Sequence, residues 1–292
     1  MKKIKDLNWG DIVFQIIASF LVVIVLIITI YPFWRVLMYS LSDSRAALSG
    51  GLFLIPKKFS ITTYRLLMKT KMVFRALRNS LAKMAFGTIL NLVLTILTAY
   101  VLAQRELKGR RAIMYFFYFT MLFSGGIIPT YILIKNLHLL DSFWVYILPS
   151  AMSVFNMFIL RNFFMSIPKD LSEAAMLDGA NQFQILCRVV LPISKPGIAT
   201  IAIYSMRDLW NSYMDGVLYV NSTDLELIQV YLRRLLQSSG AGAALGSLKT
   251  GFVTEESIKM TIIVFTIIPG IVIYLVLQKY FGKGILVGAV KG

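Results

Sequence analysis

Long runs of apolar residues, separated by short polar segments, dominate the hydrophobic pattern of the chain. A helix of about 20 mostly apolar residues crosses the hydrocarbon core of a bilayer, and six runs have this character. In chain order they are Ile12–Trp34, Met84–Ala103, Ala112–Ile134, Ser142–Leu160, Pro196–Val220 and Met260–Gln278. The pattern therefore predicts an all-α membrane protein with six transmembrane helices.

Three of these runs contain helix-breaking residues. Gly125-Gly126 and Pro129 lie in the third run, Pro149 in the fourth and Pro269-Gly270 in the sixth. Transmembrane helices tolerate such breaks where neighbouring helices or a water-filled cavity satisfy the freed backbone groups. For each break alone, we favour ordinary kinking for packing over a role in substrate binding.

Composition supports the membrane class. Of the 292 residues, 58% are hydrophobic and 15% are charged, well below the charged fraction of about 25% in soluble domains. The one cysteine, Cys187, excludes a disulfide framework and a Cys-based metal site. The one histidine, His138, lies in a short loop where we expect it to be solvated or interfacial. We expect no cofactor and no metal.

The net charge of +16 would suggest nucleic-acid binding in a soluble protein. In a membrane protein the same excess reflects the positive-inside bias and attraction to anionic lipid. We therefore expect membrane lipid as a partner and no nucleic acid.

The basic residues also predict the orientation. Lys2, Lys3 and Lys5 place the N-terminus in the cytoplasm, and six spans then return the C-terminus to the same side. The other cytoplasmic segments would be the loop 105–111, the segment 161–195 and the tail after Lys279. The outside loop 41–78 holds eight Lys or Arg residues, which conflicts with this orientation.

Residues 168–196 have the pattern of a helical hairpin rather than of a membrane span. Asp170 and Glu173, three residues apart, form a capping-box pattern, which predicts a helix that begins after Pro168. Gly179 can take the left-handed conformation that ends a helix. We therefore predict a first helix of two to three turns that ends at Gly179.

A second short helix is predicted to follow directly. Asn181 and Gln184 form another capping box, and Pro192 is expected to end this helix. Ala174 and Ala175 leave the first helix with a slim face that allows close approach. Because so small a hairpin cannot bury its own apolar residues, we expect it to dock on another surface. From the residues alone, an amphipathic helix on the membrane surface and, more weakly, a DNA-reading helix–turn–helix remain as alternatives.

The hairpin carries a sequence signature. Glu173-Ala174-Ala175, then Gly179, then Leu191-Pro192 resembles the Glu-Ala-Ala motif in the cytoplasmic loop of permeases from binding-protein-dependent ABC importers. The segments "EAAMLDGA" and "LPISKP" make the match specific. "FSGGIIPTYILIKNLHLLDSFWVYILP" and the tail "LQKYFGKGILVGAVKG" extend the resemblance over nearly the whole chain. They are similar to the carbohydrate-uptake branch, and within it to complex-polysaccharide importers such as those for alginate.

This resemblance implies the MetI-like permease fold and a position in the bacterial inner membrane, with both termini in the cytoplasm. It implies an N-terminal helix with an extracytoplasmic loop (1–75), a permease core of five helices (76–282) with the coupling loop 168–196, and a cytoplasmic tail (283–292). In the family the hairpin is a coupling helix seated in a cleft on the ATPase subunit. The implied coupling residues are Glu173, Ala174, Ala175, Asp178, Gly179, Leu191 and Pro192.

The resemblance also implies partners. These are two ATPase subunits docked on coupling hairpins, a second, homologous permease subunit, an extracytoplasmic substrate-binding protein and a saccharide substrate. The chain has no G-x-x-x-x-G-K-[ST] phosphate loop, since "GSLKT" at 246–250 lacks the glycine before the lysine. We therefore expect a separate subunit to hydrolyse ATP, and this chain not to be an enzyme.

Charged residues interrupt the fifth run. A charge near the middle of a span costs at least roughly 2.5–3.5 kcal/mol, so it faces an interior cavity or a partner. At 100° per residue Arg207 and Asn211 share a face, Asp215 is predicted to continue it one turn further, and Asp208 lies about a quarter-turn away. A structural ion pair and a place in the substrate path both remain open, with Trp210 and Tyr213 offering ring faces to sugars. The candidate path residues are Arg207, Asp208, Trp210, Asn211, Tyr213 and Asp215.

The segment 224–237 has apolar residues at helical spacing and is followed by the flexible-looking "SSGAGAAL". It reads either as a helix in the membrane interface or, by the resemblance, as a contact arm for the substrate-binding protein. The basic loop 41–78 would present positive charge to the same partner. A cationic vestibule attracts anionic ligands, which favours an acidic saccharide such as alginate.

Two other function classes were weighed against a permease subunit. A secondary transporter driven by an ion gradient would need inverted repeats with broken helices in both halves, and the chain has no such internal symmetry. A membrane-embedded enzyme would need His, Cys or carboxylate clusters inside its spans, and the chain has one His and one Cys. Both classes are disfavoured.

Overall fold

The computed structural model describes residues 9–237 and 253–277 of the chain. Within these ranges the secondary structure is helical, with one isolated β-bridge between Ser42 and Phe59 and no strand. The predicted all-α class is confirmed. The N-terminal lysines, the segment 238–252 with its glycine-rich stretch, and the tail after Lys279 lie outside the described residues.

The helices are named here in chain order. They are α1 (Trp9–Ser40), α2 (Ser44–Ala47), α3 (Thr62–Lys69), α4 (Lys71–Ala103), α5 (Arg110–Leu122), α6 (Ile127–Asn136), α7 (Val154–Met165), α8 (Lys169–Leu177), α9 (Gln182–Ile185), α10 (Leu191–Ile193), α11 (Lys195–Asn211), α12 (Met214–Tyr219), α13 (Ile228–Gln237) and α14 (Glu255–Leu277). A 3₁₀ turn at Phe143–Tyr146 and a π-helical turn at Leu186–Val190 complete the set. By their internal contacts, the described residues within 1–70 and 235–265 form one compact unit, and those within 71–234 and 266–292 form another.

The first unit contains the long apolar helix α1. No described residue of α1 before Met38 is buried, and a helix this long and apolar can cross a bilayer with its side chains in lipid or against a partner. Its C-terminal end packs into a small core of Met38, Tyr39, Ala47 and Phe53. Asp43 caps the short α2 by accepting bonds from the backbone N–H groups of its first turn.

The second unit is built around α4, which packs against α7 and α11. Gly87 permits the contact with α11, because a Cβ at this position would lie 2.8 Å from Leu209 Cδ1. Toward the other end of α4, Ala99, Tyr100 and Leu102 join a larger core. The other buried members of this core are Met157, Leu160, Phe164, Ile185, Leu186, Val190 and Ile201.

Three of the predicted spans are not single helices. The third breaks between α5 and α6, which bend by 110° at 123–126, because Gly126 adopts φ +86°. The fourth divides into the 3₁₀ turn and α7, with Pro149 in the break and Ser153 capping α7. The fifth divides into α11 and α12, because Ser212 is extended (φ −68°, ψ 119°). The sixth is one helix, α14, which continues through Pro269.

The predicted number of spans is only partly supported by helix lengths. Among the described residues, α1 from Ile12 and α4 are long and apolar enough to cross a membrane, and the count rises to four if each of two bent helix pairs is one span. These pairs are α5 with α6, and the helical stretch Gln182–Ile193 with α11. The count of six therefore stays a prediction, as do the domain boundaries at residues 75 and 282.

Candidate functional site

The first helix of the hairpin, α8, begins directly after Pro168, as predicted. The predicted capping box of Asp170 and Glu173 is wrong, because Pro168 itself is the N-cap and no side chain bonds the first turn. Asp170 is already the second residue of the helix, so its helical backbone cannot take the N-cap position. Its carboxylate lies instead in the first turn, where negative charge is favourable to the helix dipole.

Gly179 ends α8 as predicted. Its φ is +82°, and two backbone bonds close the helix: Gly179 N–H donates to Met176 O and Ala180 N–H donates to Ala175 O, each at 3.0 Å. This pair of bonds is the Schellman motif, which satisfies the last carbonyl groups of a helix. A Cβ at position 179 would meet nothing within 4 Å, so the backbone conformation alone selects glycine here.

The second helix of the hairpin begins with the predicted capping box. Gln184 N–H donates to Asn181 Oδ1 and Asn181 N–H donates to Gln184 Oε1, each at 2.9 Å. The prediction that Pro192 ends this helix is wrong. Leu191 N–H bonds Leu186 O, five residues back, and this π-turn carries the helix past the proline, whose missing N–H and ring disfavour the tighter α ladder.

The hairpin is anchored through its second helix and exposed on its first. Ile185 and Leu186 are buried in the core, and Tyr100 Oη donates to Gln182 Oε1 over 2.8 Å. In α8 no residue is buried, and Leu177 at its end is 89% exposed. The hairpin is therefore attached to the core through its second helix, while α8 keeps most of its surface exposed.

The motif residues have different surroundings. The exposed ones are Glu173, Ala174, Asp178, Gly179 and Pro192, and the half-buried ones are Ala175 and Leu191. Glu173 borders a cavity of about 110 Å³ between α8 and the 103–106 turn, where Lys169 Nζ lies 3.4 Å from Glu106 Oε1. Cys187, on the π-turn, is exposed.

In the fifth predicted span, Arg207 and Asp208 form an ion pair with each other. Arg207 Nε and Nη2 lie 2.9 and 2.8 Å from the same Asp208 Oδ1, and both side chains are more than half exposed. The Arg207 guanidinium also lies 5.5 Å from the Tyr204 ring centroid. Asn211 is exposed at the end of α11.

The prediction that Asp215 continues the helical face of Arg207 and Asn211 is wrong. The helix α11 ends at Asn211, and Asp215 belongs to α12. Its Oδ2 accepts from Ser212 Oγ at 2.7 Å and lies 3.3 Å from Lys83 Nζ. The Lys83 side chain is 1% exposed, and its ammonium also donates to Ser212 O at 3.0 Å.

Lys83 was missed in the sequence because it directly precedes the apolar run Met84–Ala103 and reads as its flank. In the structure α4 begins at Lys71, so Lys83 lies inside the helix and on its buried side. Its ammonium lies 5.3 Å from the Tyr146 ring centroid. The partners of Lys83 lie on α12 and on the 3₁₀ turn, so its surroundings form only when these elements pack against α4.

Both predicted ring platforms are engaged within the chain. Trp210 is 6% exposed and its Nε1 donates to Thr266 O at 3.2 Å. The Tyr213 ring has the Arg233 guanidinium 4.6 Å from its centroid. In this conformation the Trp210 ring is buried within the chain and has no free face for stacking on a sugar ring.

A polar cavity of about 310 Å³ joins residues from α4, the 150–153 segment, α7, α11 and α12. It brings Asp208 and Asp215 to one space, together with polar residues whose proximity was not predicted from the sequence. Its lining residues are Asn91, Ser150, Met152, Ser153, Asn156, Ser205, Asp208, Leu209, Ser212 and Asp215. No group of three or more His, Cys, Asp or Glu that could hold a metal ion occurs in the described part of the chain.

The segment predicted as helical over 224–237 is helical only from Ile228. Its start is fixed to α4: Asn79 Nδ2 donates to Asp224 O at 2.8 Å and to Glu226 O at 3.1 Å, and Arg75 pairs with Asp224. Burial raises the pKa of Glu226, while Arg234, 2.5 Å away, opposes that rise.

Asp141, close in sequence to His138, connects two loops through hydrogen bonds that are called the Asp141 clamp below. His138 itself is exposed, as expected. Asp141 Oδ1 accepts from the backbone N–H groups of Asn221 and Ser222 at 2.6 and 2.9 Å. The Ser222 and Asn221 amides hold the pKa of the Asp141 carboxyl below its ordinary value. This carboxylate ties the loop after α6 to the end of α12.

Comparison with known proteins places this geometry in a family. The family model described as "binding-protein-dependent transport system inner membrane component" matches residues 95–287. A Bacillus subtilis polygalacturonan/rhamnogalacturonan transport system permease protein, YtcP, is 41% identical over 95% of this chain and 98% of its own. The arabinooligosaccharides transport system permease protein AraQ of the same organism is 29% identical over 96% and 97%.

A solved structure agrees. A chain in the crystal structure of a bacterial ABC transporter involved in the import of the acidic polysaccharide alginate superposes with a TM-score of 0.88 and 32% identity, over 94% of this chain and 99% of that one. These matches confirm the permease fold that the hairpin signature predicted. The chain belongs to the binding-protein-dependent transport system inner membrane component family and is a transport permease.

Proposed function

We propose that this chain is a transmembrane subunit of an ATP-driven importer that moves an oligosaccharide from a substrate-binding protein into the cytoplasm. The observation that carries the proposal is the 41% identity, over nearly the full length of both chains, to a permease named for polygalacturonan and rhamnogalacturonan transport. The named substrates of that permease and of the structural neighbour include acidic polysaccharides. This favours an acidic oligosaccharide, such as an oligogalacturonide or alginate fragment, as the cargo.

In this proposal the hairpin couples transport to ATP hydrolysis by separate subunits. Two ATPase subunits would each seat one hairpin, one from this chain and one from a second, homologous permease subunit. A rigid contact is required, because only a stiff element can transmit a rigid-body displacement. The capped and anchored hairpin has that property, and α8 has an exposed outer surface available for the contact. Both chain termini would then lie in the cytoplasm.

Each motif residue has a role in this proposal. Glu173 would pair with basic groups of the ATPase cleft, while Ala174 and Ala175 allow close approach of the cleft wall. Gly179 supplies the turn and Asp178 precedes it. Leu191-Pro192 join the hairpin to α11, so that displacement of the hairpin moves a membrane helix.

The translocation path would run along the polar cavity and the charged end of α11. Arg207, Asp208 and Asn211 are exposed and are proposed to meet the cargo, with Arg207 attracting its carboxylate groups. Asp215 lines the cavity, and Trp210 and Tyr213 would support its wall from behind. The competing role for Arg207, a structural ion pair within this chain, is weakened by its exposure, since an exposed pair contributes only about 0–1 kcal/mol.

The coupling role is tested with the assembled importer in proteoliposomes. Glu173→Lys and Gly179→Pro should leave insertion and assembly intact but abolish the ATP hydrolysis that loaded binding protein stimulates. Asp170→Lys, a charge reversal on the same helix outside the motif, and Gly179→Asn, which tolerates positive φ, are the matched controls and should retain most of it. Normal stimulation in both coupling variants would refute the assignment.

A further inference from the structure

The polar residues that line the cavity are almost all satisfied by one another. Asn91 Oδ1 accepts from Ser205 Oγ at 2.7 Å, and Asn91 Nδ2 contacts Ser150 O at 3.4 Å. Ser212 donates to Asp215, and Ser153 Oγ accepts from the backbone N–H of Asn156. These bonds link α4 to α11 and to the 150–153 segment, join the end of α11 to α12, and cap α7.

Asn156 is the exception. Its side chain lines the cavity and the residue is 3% exposed, yet its amide group makes no hydrogen bond with any described residue. The amide atoms of Asn156 open onto the cavity, where they can both donate to and accept from a molecule within it. Because Asn156 already provides a backbone N–H to the cap of α7, its side chain is not needed to begin that helix. The free amide is thus available to a molecule in the cavity.

The charges around the cavity restrict what that molecule presents there. Two carboxylates, Asp208 and Asp215, line the space, and no basic residue among those described does. Their cations, Arg207 and Lys83, lie behind or beside them. A ligand carboxylate placed against this lining would meet like charge, whereas hydroxyl groups can donate to the carboxylates and both donate to and accept from the amide.

The depth of the cavity agrees with a position on a transport route. Asn91 precedes the end of α4 at Ala103 by twelve residues, or roughly 18 Å along the helix. The hydrocarbon core of a bilayer is about 30 Å thick, and a core that begins at this end of α4 would have Asn91 near its middle.

We propose that this cavity is a binding subsite for the hydroxyl groups of one sugar ring, with Asn156 as its specificity-determining hydrogen-bonding residue and with Asp208 and Asp215 as acceptors. The subsite forms hydrogen bonds with the hydroxyl groups of the sugar and does not bind its carboxylate. This inference rests on the proposed saccharide transport and adds to it the chemistry that one membrane-embedded site recognises.

The test separates binding from folding with two asparagine variants. Equilibrium dialysis measures binding of radiolabelled trigalacturonate, and of its neutral methyl ester, to the assembled complex in nanodiscs without binding protein. Asn156→Leu removes one hydrogen bond to a ligand hydroxyl and should raise Kd about three- to tenfold for both probes. Its thermal midpoint should not fall, because the Asn156 side chain makes no hydrogen bond with the described residues that the substitution would break. Asn91→Leu, the matched control, breaks the contacts with Ser205, Ser150 and Thr95 and should lower the midpoint.

Several results would overturn the inference. An unchanged Kd in Asn156→Leu, a change for the acidic probe alone, or a loss of stability equal to that of Asn91→Leu would each do so. Absence of saturable binding of both probes to the wild-type complex would also overturn it. In that case, uptake of trigalacturonate by the same complex with its binding protein in proteoliposomes would keep the proposed function, and absence of uptake would remove that too.

Discussion

Removing Asp215 should lower the stability of the complex more than removing Lys83, although the two residues form one ion pair. The Lys83 side chain is 1% exposed and that of Asp215 is 30% exposed. Asp215→Leu leaves the ammonium buried with one carbonyl acceptor, Ser212 O. Lys83→Met leaves a carboxylate that keeps the Ser212 hydroxyl and contacts the cavity. The first substitution should therefore cost more.

The magnitudes follow from burial. Removing one partner of a buried ion pair costs about 3–5 kcal/mol, and we expect Asp215→Leu in this range. For Lys83→Met we expect about 1–3 kcal/mol, since the stranded carboxylate stays hydrogen-bonded and partly solvated. The double variant replaces both charges with apolar groups and should recover to within about 1–2 kcal/mol of the wild type.

The assay is thermal unfolding of the purified complex, followed by fluorescence-detected gel filtration. At about 2–4 °C per kcal/mol for a chain of this size, Asp215→Leu should lower the midpoint by roughly 10 °C and Lys83→Met by about half of that. Membrane complexes unfold irreversibly, so midpoints are compared at one heating rate. A greater loss in Lys83→Met, or a double variant whose loss equals the sum of the two, would refute the reasoning.

Two further predictions concern the loops and the orientation. Because the folded-state pKa of Asp141 is lowered, the stability that its clamp contributes should be complete above about pH 4 and lost as the pH falls through that lowered value. Thermal midpoints measured from pH 3 to 6 should fall with pH in the wild type and fall less in Asp141→Asn. If the midpoints of the two proteins fall in parallel, the Asp141 clamp does not contribute the proposed stability. In a Cys187→Ser background, cysteines at Lys108 and Ala180 should resist an impermeant thiol reagent added outside while one at Leu52 reacts, and outside labelling at Ala180 would reverse the proposed orientation.

Local sequence signals were reliable where the physics is local. The end of α8 at Gly179 and the capping box of Asn181 with Gln184 each depend on residues within one turn, so spacing alone predicts them. The same reasoning failed at Pro192, because a π-turn carries the helix past the proline. It also failed at Asp170, where Pro168 took the N-cap position first.

Apolar runs predicted which segments are lipid-compatible but not where their helices break. Gly125 and Gly126 predicted a kink in the third run, but the sequence did not predict that α5 and α6 bend by 110° there. The division of the fifth run after Asn211 moved Asp215 off the predicted helical face. Helical periodicity can be extrapolated only as long as the helix continues.

The polar cavity and the buried Lys83 arise from contacts between elements far apart in the chain. In the sequence Lys83 looks like the flank of an apolar run, and its carboxylate partner, Asp215, lies far away on α12. Asn156 looks like one of a few polar residues in the mostly apolar α7. Whether such a group is paired or free depends on which helices meet around it. Hydrophobic patterning expresses the free energy of transfer of each residue and so predicts membrane class, whereas the partners of a buried polar group depend on long-range packing, which patterning does not encode.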